Sequence, residues 1–171
     1  MAGSRGSFEV EYEVKGAQAT LDALSFASSI LDAPKELFDD IGAALVISTQ
    51  QRFESETAPD GNPWKKSFRE LHGGGKTLTD TARLVKSITH EASNNGVAVG
   101  TNVLYAAIHQ TGGTIKAKTK RGLRFQTLNG SWIGKQSVRI PQRAFLGLDQ
   151  EDEKEILKIS QNFLSKAFDR D

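Results

Sequence analysis

The chain contains no cysteine, so neither a disulfide framework nor a thiolate metal site can stabilise it. No apolar run approaches the roughly 20 residues that a membrane-spanning helix requires. The opening Met1-Ala2-Gly3-Ser4-Arg5-Gly6-Ser7 lacks the apolar stretch of a signal peptide, and its Gly-Ser pairs read as an added leader. These absences imply a soluble, cytosolic chain with no membrane partner. His72, His90 and His109 are the only histidines, and no two stand three or four residues apart, as ligands on one helix face would. No serine occupies a nucleophile-elbow context. Apolar residues make up 37% of the 171, enough for the core of one domain but below the usual globular share. Part of the surface is therefore expected to be completed by neighbours or spent on long polar loops.

One motif imitates an enzyme. Gly73-Gly74-Gly75-Lys76-Thr77 ends like a phosphate-binding loop, but Glu70 holds the place of that loop's first glycine. The preceding Trp64–His72 is charged and irregular where a buried strand is required. The adjacent acids Asp39-Asp40 and the cluster Asp149 to Glu155 fall on predicted helices, where neighbouring side chains point about 100° apart. That is poor geometry for acid–base work. The expectation is a protein without catalytic residues, cofactor or metal.

What the chain does have is segregated charge. The net charge of +1 divides into −6 over residues 1–56, +2 over 57–113, +8 over 114–143 and −3 over 144–171. A basic arm between acidic flanks has two electrostatic partners to choose from: nucleic acid, or another copy of the chain.

Hydropathy patterning outlines an α+β fold. Phe8–Val14 alternates apolar and charged residues and predicts a half-buried strand; Ala19–Leu31 predicts a short helix. Pro34 suits a first helical turn, and Leu37, Phe38, Ile41, Leu45, Ser48 and Arg52 follow on one stripe, predicting a helix over 34–54. Pro59-Asp60-Gly61-Asn62-Pro63 is a turn, after which Trp64 anchors the loop. Residues 65–76 read as a mobile polar segment, and Thr79-Asp80-Thr81 as the cap of a helical turn carrying Leu84. Ser87–Ala92 and Val97–Thr101 predict a hairpin through Asn94-Asn95-Gly96, with positive φ at the turn. In that hairpin His90 shares a face with Ile88 and Ala92 and reads as a packing residue. Tyr105–Gln110 predicts a short helix stopped by Gly112-Gly113. Residues 114–136 form an extended or flexible arm, Ser137–Ile140 a returning strand closed by Pro141, and 149–171 an amphipathic helix on Ile156, Ile159, Phe163 and Ala167. The architecture expected is a small antiparallel sheet packed against a long helix and a C-terminal amphipathic helix, with an extended basic β-hairpin arm.

Three segments carry a resemblance. The first is Pro59-Asp60-Gly61-Asn62-Pro63-Trp64. The second is Leu78-Thr79-Asp80-Thr81-Ala82-Arg83-Leu84-Val85-Lys86-Ser87-Ile88, similar to an "L-x-x-T-G-x-L-x-x-S-I" block but with Ala82 where glycine is usual. The third pairs Tyr105-Ala106-Ala107-Ile108-His109-Gln110-Thr111-Gly112-Gly113 with Ile140-Pro141-Gln142-Arg143-Ala144-Phe145-Leu146-Gly147-Leu148. Together, over about residues 35–168, they resemble the Mu-like virion morphogenesis (tail completion) family of tailed phages. The resemblance implies a structural head–tail joining or tail terminator subunit of the virion. It would be made in the host cytoplasm without a cofactor, self-associate into a ring, and contact other tail and head–tail connector proteins. It implies structural roles for Trp64, Tyr105, His109, Gly112, Gly113, Pro141, Arg143, Phe145 and Gly147. Tyr105 would pack the short helix, His109 would hydrogen-bond within the fold, and Phe145 and Leu146 would seat the last helix.

The arm is the candidate contact surface. Lys116, Lys118, Lys120, Arg121, Arg124, Lys135 and Arg139 fall on it with no acid among them, and Phe125 and Trp132 are its aromatics. Three readings follow: a merely solvated hairpin, a loop that neutralises DNA phosphates without reading sequence, or an arm lying on the acidic surface of the next subunit. A ring-forming family favours the third, and DNA passing through the lumen would favour the second. The alternative from another class is a basic nucleic-acid-binding module using residues 114–143.

Overall fold

Pro34 opens the longest helix, α1 (Pro34–Ser55), because its fixed φ suits a first turn and its missing N–H is not needed there. The computed structural model describes residues 34–126 and 130–168. The strand expected at Phe8–Val14 and the helix at Ala19–Leu31 lie outside the described residues. Along α1 the stripe divides in two. Leu37, Phe38 and Ile41 are buried in the first half, and Thr49, Arg52 and Phe53 in the second.

The helix stops at a tight C-terminal turn. Glu56 takes a left-handed φ of 57°, and the Thr57 N–H donates to the Arg52 carbonyl at 3.2 Å, the long-reach bond of a Schellman cap. The expected turn follows: Gly61 adopts φ 80°, and Asp60 Oδ1 accepts from the Asn62 N–H at 3.0 Å.

Residues 65–76 hold a helix that the sequence reading did not expect, α2 (Phe68–Gly73). Ser67 caps it, its side chain accepting from the Glu70 N–H. Glu70 does not reach back to the Ser67 N–H as in a reciprocal capping box. It accepts instead from the Thr77 hydroxyl and pairs with Lys66 at 2.7 Å, while Thr77 Oγ1 takes the Ser67 N–H. Bonds from Lys66 and Thr77 hold the Glu70 carboxyl below its usual range despite some desolvation.

The next helical turn, α3 (Arg83–Lys86), draws on the expected Thr79-Asp80-Thr81 only through Thr81, whose Oγ1 accepts from the Arg83 N–H at 3.4 Å. Its N-cap is Ala82, which makes no side-chain cap bond and lies at φ 55°, ψ 11°. A Cβ in the left-handed region costs about 1–2 kcal/mol, a strain glycine escapes. Ala82→Gly should therefore raise stability by about 0.5–1 kcal/mol after the added freedom of the unfolded chain is counted. A chemical-denaturation midpoint checks this, and a lower midpoint would contradict the strain account.

Strands β1 (Thr89–Ser93) and β2 (Gly96–Gly100) pair antiparallel from Thr89↔Gly100 to Ser93↔Gly96. Their turn differs from expectation, because none of Asn94, Asn95 and Gly96 is among the positive-φ residues. Ser93 Oγ holds it, accepting from the Asn95 N–H and donating to the Gly96 carbonyl. The hairpin lies on α1 at Gly42, where a Cβ would run into the His90 ring and Val97. His90 is thus a packing residue, and its Nε2 also meets Asp39 Oδ1 at 3.0 Å.

Helix α4 (Ala106–Thr111), strands β3 (Gly113–Lys116), β4 (Leu123–Gln126), β5 (Trp132–Lys135) and β6 (Ser137–Ile140), and helix α5 (Gln150–Phe168) complete the described elements. The fold is α+β, its strands arranged in three two-stranded antiparallel sheets: β1–β2, β3–β6 and β4–β5. Asp149 caps α5, its Oδ1 accepting from the Glu151 and Asp152 N–H groups at 2.9 Å each, and Asp152 Oδ2 answers the Asp149 N–H at 2.9 Å.

Two apolar clusters result. One joins Leu37, Phe38 and Ile41 of α1 to Ile156 of α5, with Leu148, Ile159 and Phe163 packed against it. The other gathers Phe53, Trp64, Leu84, Ile88, Val103, Ala106, Phe145 and Leu146. The expected α5 stripe is present at Ile156, Ile159 and Phe163; the side chain of Ala167 lies outside the described residues.

Candidate functional site: a clamped junction and a basic hairpin

The two halves of the split tandem motif meet at the base of the arm. The Arg143 N–H donates to the His109 carbonyl at 2.7 Å, so the chain entering the arm and the chain leaving it lie side by side. Gly112, at φ 69°, lets this happen, since a Cβ there would stand 2.8 Å from the Gln142 nitrogen. Side chains of Trp64, Gln110 and Arg143 then fix residues 143–147. Trp64 Nε1 donates to the Ala144 carbonyl at 2.8 Å. Gln110 uses its whole amide: Oε1 accepts from the N–H groups of Phe145 and Leu146, and Nε2 donates to the Leu146 carbonyl. Arg143 Nε donates to the Lys65 carbonyl at 2.6 Å. At Gly147, φ is 147° and a Cβ would press on Pro59 at 2.9 Å.

Arg52 is the centre of the clamp. It is buried, and Nη1 donates to the carbonyls of Phe145 at 3.2 Å and Gly147 at 2.8 Å. Nη2 meets Asp149 Oδ2 at 2.9 Å, Ser48 Oγ at 3.2 Å, and the buried Asp152 carboxylate. One guanidinium thus ties α1, the 145–147 segment and the first turn of α5 together. Burial alone would raise the Asp149 pKa, but the Arg52 bond, the Asp152 N–H, the Arg52 charge and the Glu151 N–H outweigh it and the net shift is downward.

Three roles differ from expectation. Tyr105 precedes α4 and is 42% exposed; the helix packs through Ala106 and Gln110 instead. Phe145 and Leu146 do not seat α5. They join Phe53 and Trp64, the Phe53 and Phe145 rings standing 5.2 Å apart, while α5 is seated by Leu148 and the Arg52 bonds. His109 packs edge-on to Tyr105 at 6.1 Å, and its Nδ1 is buried with no hydrogen-bond partner among the described residues. Burial, then the nearby Arg143 charge, lowers its pKa and favours the neutral ring.

From this junction the arm rises as two successive ladders. In β3–β6, Thr114 opposes Arg139 and Lys116 opposes Ser137; in β4–β5, Leu123 opposes Lys135 and Gln126 opposes Trp132. Partners in register share a face. Thr114, Lys116, Ser137 and Arg139 therefore form a polar, basic face, and Ile115, Val138 and Ile140 an apolar one. Strands β3 and β5 are exposed at every residue. Lys118, Lys120 and Arg121 lie in the connection between the ladders, and Arg124 stacks on the Trp132 ring, 5.4 Å from its centroid. Among the described residues, none of the seven arm cations is in an ion pair; the pairs that exist lie elsewhere.

Residues 12–165 match the phage virion morphogenesis family. The chain belongs to that family. The match extends upstream of the 35–168 stretch that carried the resemblance. Among relatives of this virion morphogenesis protein, Mu-like prophage FluMu G protein 2 of Haemophilus influenzae is 35% identical over 155 residues, spanning 90% of this chain and 95% of its own. The putative capsid assembly protein G of Escherichia phage Mu is 29% identical over 167 residues, spanning 92% of this chain and 94% of its own. No solved structure is significantly similar.

The glycine run has a structural task in this virion morphogenesis protein. It follows helix α2 instead of a strand; Lys76 Nζ donates to the Glu54 carbonyl at 2.8 Å at the end of α1, and Thr77 is buried against Glu70. Among the described residues no cluster of three or more His, Asp or Glu side chains could hold a metal, and no helix is long and apolar enough to cross a membrane. Arg52 stood on the predicted core stripe, and Gln110 and Thr77 within quoted motifs, but the sequence named none of their partners. The signal for Arg52 was a cation four residues after Ser48 and next to the buried Phe53; for α2 it was Ser67-x-x-Glu70.

Proposed function

We propose that this protein is a non-catalytic structural subunit of a tailed-phage virion, acting in tail completion or as a tail terminator at the head–tail junction. It self-associates there into a ring and contacts other tail and connector proteins. The observation that carries this reading is the arm. An isolated two-stranded ladder is marginal in water, and the arm's two ladders and their connection expose seven cations that make no ion pair among the described residues, which favours completion by a neighbour's surface. Family membership and the Mu relative, whose name is that of a capsid assembly protein, support an assembly role.

The test is replacement of Lys116, Lys118, Lys120, Arg121 and Arg124 with Ser. Several partly desolvated pairs at about 0.5–1 kcal/mol each should shift the association constant by two decades or more. The unfolding midpoint of the monomer should hold, because the arm adds little to either cluster. Salt should mimic the substitutions, since exposed pairs are screened over about 8 Å at physiological ionic strength. In a complementation assay, heads and tails should form but fail to join. Normal assembly with loss of DNA retention would move the arm to the lumen and to phosphate.

A further inference from the structure

A basic arm needs an acidic surface to receive it, and seven of the fourteen acids of the described residues already meet a cation or an imidazole. Asp149 and Asp152 hold Arg52, Glu70 holds Lys66, Asp80 faces Arg69 and Asp39 meets His90. Glu151 and Glu155 pair with Lys154 and Lys158 on their own helix. The N-terminal sequence is different. Glu9, Glu11 and Glu13 alternate with Phe8, Val10, Tyr12 and Val14. As a strand, this segment would carry three carboxylates along one face about 7 Å apart and four apolar side chains on the other.

The β3–β6 ladder presents the matching alternation. Lys116 and Arg139 lie on one face, with Ile115, Val138 and Ile140 on the other, and Ile115 is 40% exposed. The outer edge of β3 pairs with no strand among the described residues. A strand added at that edge with its acids on the Lys116 side brings its apolar residues onto the Ile115 side. A slip of one residue would reverse both matches, so charge and hydropathy specify the same register.

We propose that residues 8–14 of one copy add as a strand to the open edge of β3 in a second copy, carboxylates beside Lys116 and apolar side chains beside Ile115. This rests on the assembly reading above and names its contact. Each copy would give one strand and receive one. That head-to-tail pattern is heterologous and closes into a ring when the rotation allows.

Native cysteine is absent, so single cysteines report the contact cleanly. A mixture of Glu11→Cys and Lys116→Cys chains, oxidised, should give a disulfide-linked heterodimer in clear excess over either variant alone. Charge reversal supplies the second readout, by light scattering. Glu9→Lys, Glu11→Lys and Glu13→Lys together should weaken self-association at least a hundredfold at an unchanged unfolding midpoint, as should Lys116→Glu, Lys118→Glu and Lys120→Glu. A chain carrying all six reversals should associate again. If the arm reversal dissociates the protein but the N-terminal reversal does not, this inference is wrong and the assembly reading stands. If the six-reversal chain recovers only its unfolding midpoint and stays monomeric, the strand adds within its own copy and the proposal is overturned. Should wild type prove monomeric at every concentration, both fall together.

Discussion

Replacing Arg52 with Met is expected to destabilise the fold by about 3–5 kcal/mol, the usual cost of removing one partner from a buried charge pair. The methylene stem would still pack, but the carbonyls of Phe145 and Gly147 would lose their donor, and the carboxylates of Asp149 and Asp152 their cation. The loss should depend on pH. Asp149 has its folded pKa lowered below 3.8, so its contribution is complete above the unfolded value and disappears as pH falls through the folded one. The gap between wild type and Arg52→Met should therefore start to narrow below about pH 4 and go on narrowing as pH falls through the folded pKa of Asp149, leaving the part due to the two carbonyl bonds. Urea midpoints across pH measure both effects. A change under about 1 kcal/mol at neutral pH would show that the clamp contributes only geometry.

Ile41→Ala is the second large effect, expected to cost about 2–4 kcal/mol. Ile41 is 3% exposed and sits among Leu37, Phe38 and Ile156. Both its neighbours are fixed, α5 by the Arg52 bonds and β1–β2 by His90 and Val97 resting on Gly42. Little can collapse into the space left by the removed atoms, which puts the cost above that of the transfer alone. A near-zero change in the denaturation midpoint would mean that the α1–α5 seam is not a core.

Local pattern was enough for the elements whose period is long. Helix α1 and the Ile156-Ile159-Phe163 face of α5 each bury a repeat that recurs over several turns, and helix and register follow from it. Strand β6 was legible because Pro141 closes it, whereas β3, β4 and β5 fall in a stretch whose pattern gave only an extended or flexible arm. The misses share one cause, polar side chains working at long range. Helix α2 buries nothing and exists through Ser67, Glu70 and Thr77, whose bonds no hydropathy pattern records. Arg52 and Gln110 make bonds to residues 35 to 100 positions away, so their type was visible and their partners were not. Phe145 and Leu146 were correctly apolar, but only the path of the chain over Trp64 decides that they fill the cluster beneath α4 rather than seat α5.

If this virion morphogenesis protein assembles through its own arm, molar mass by light scattering over a concentration series will show it. From a protomer of 18.6 kDa, the mass should climb with concentration to a fixed multiple of that value, and fall back as salt is raised. A mass that stays at one protomer across the whole series, at low salt as at high, would mean that the arm does not join one copy to another.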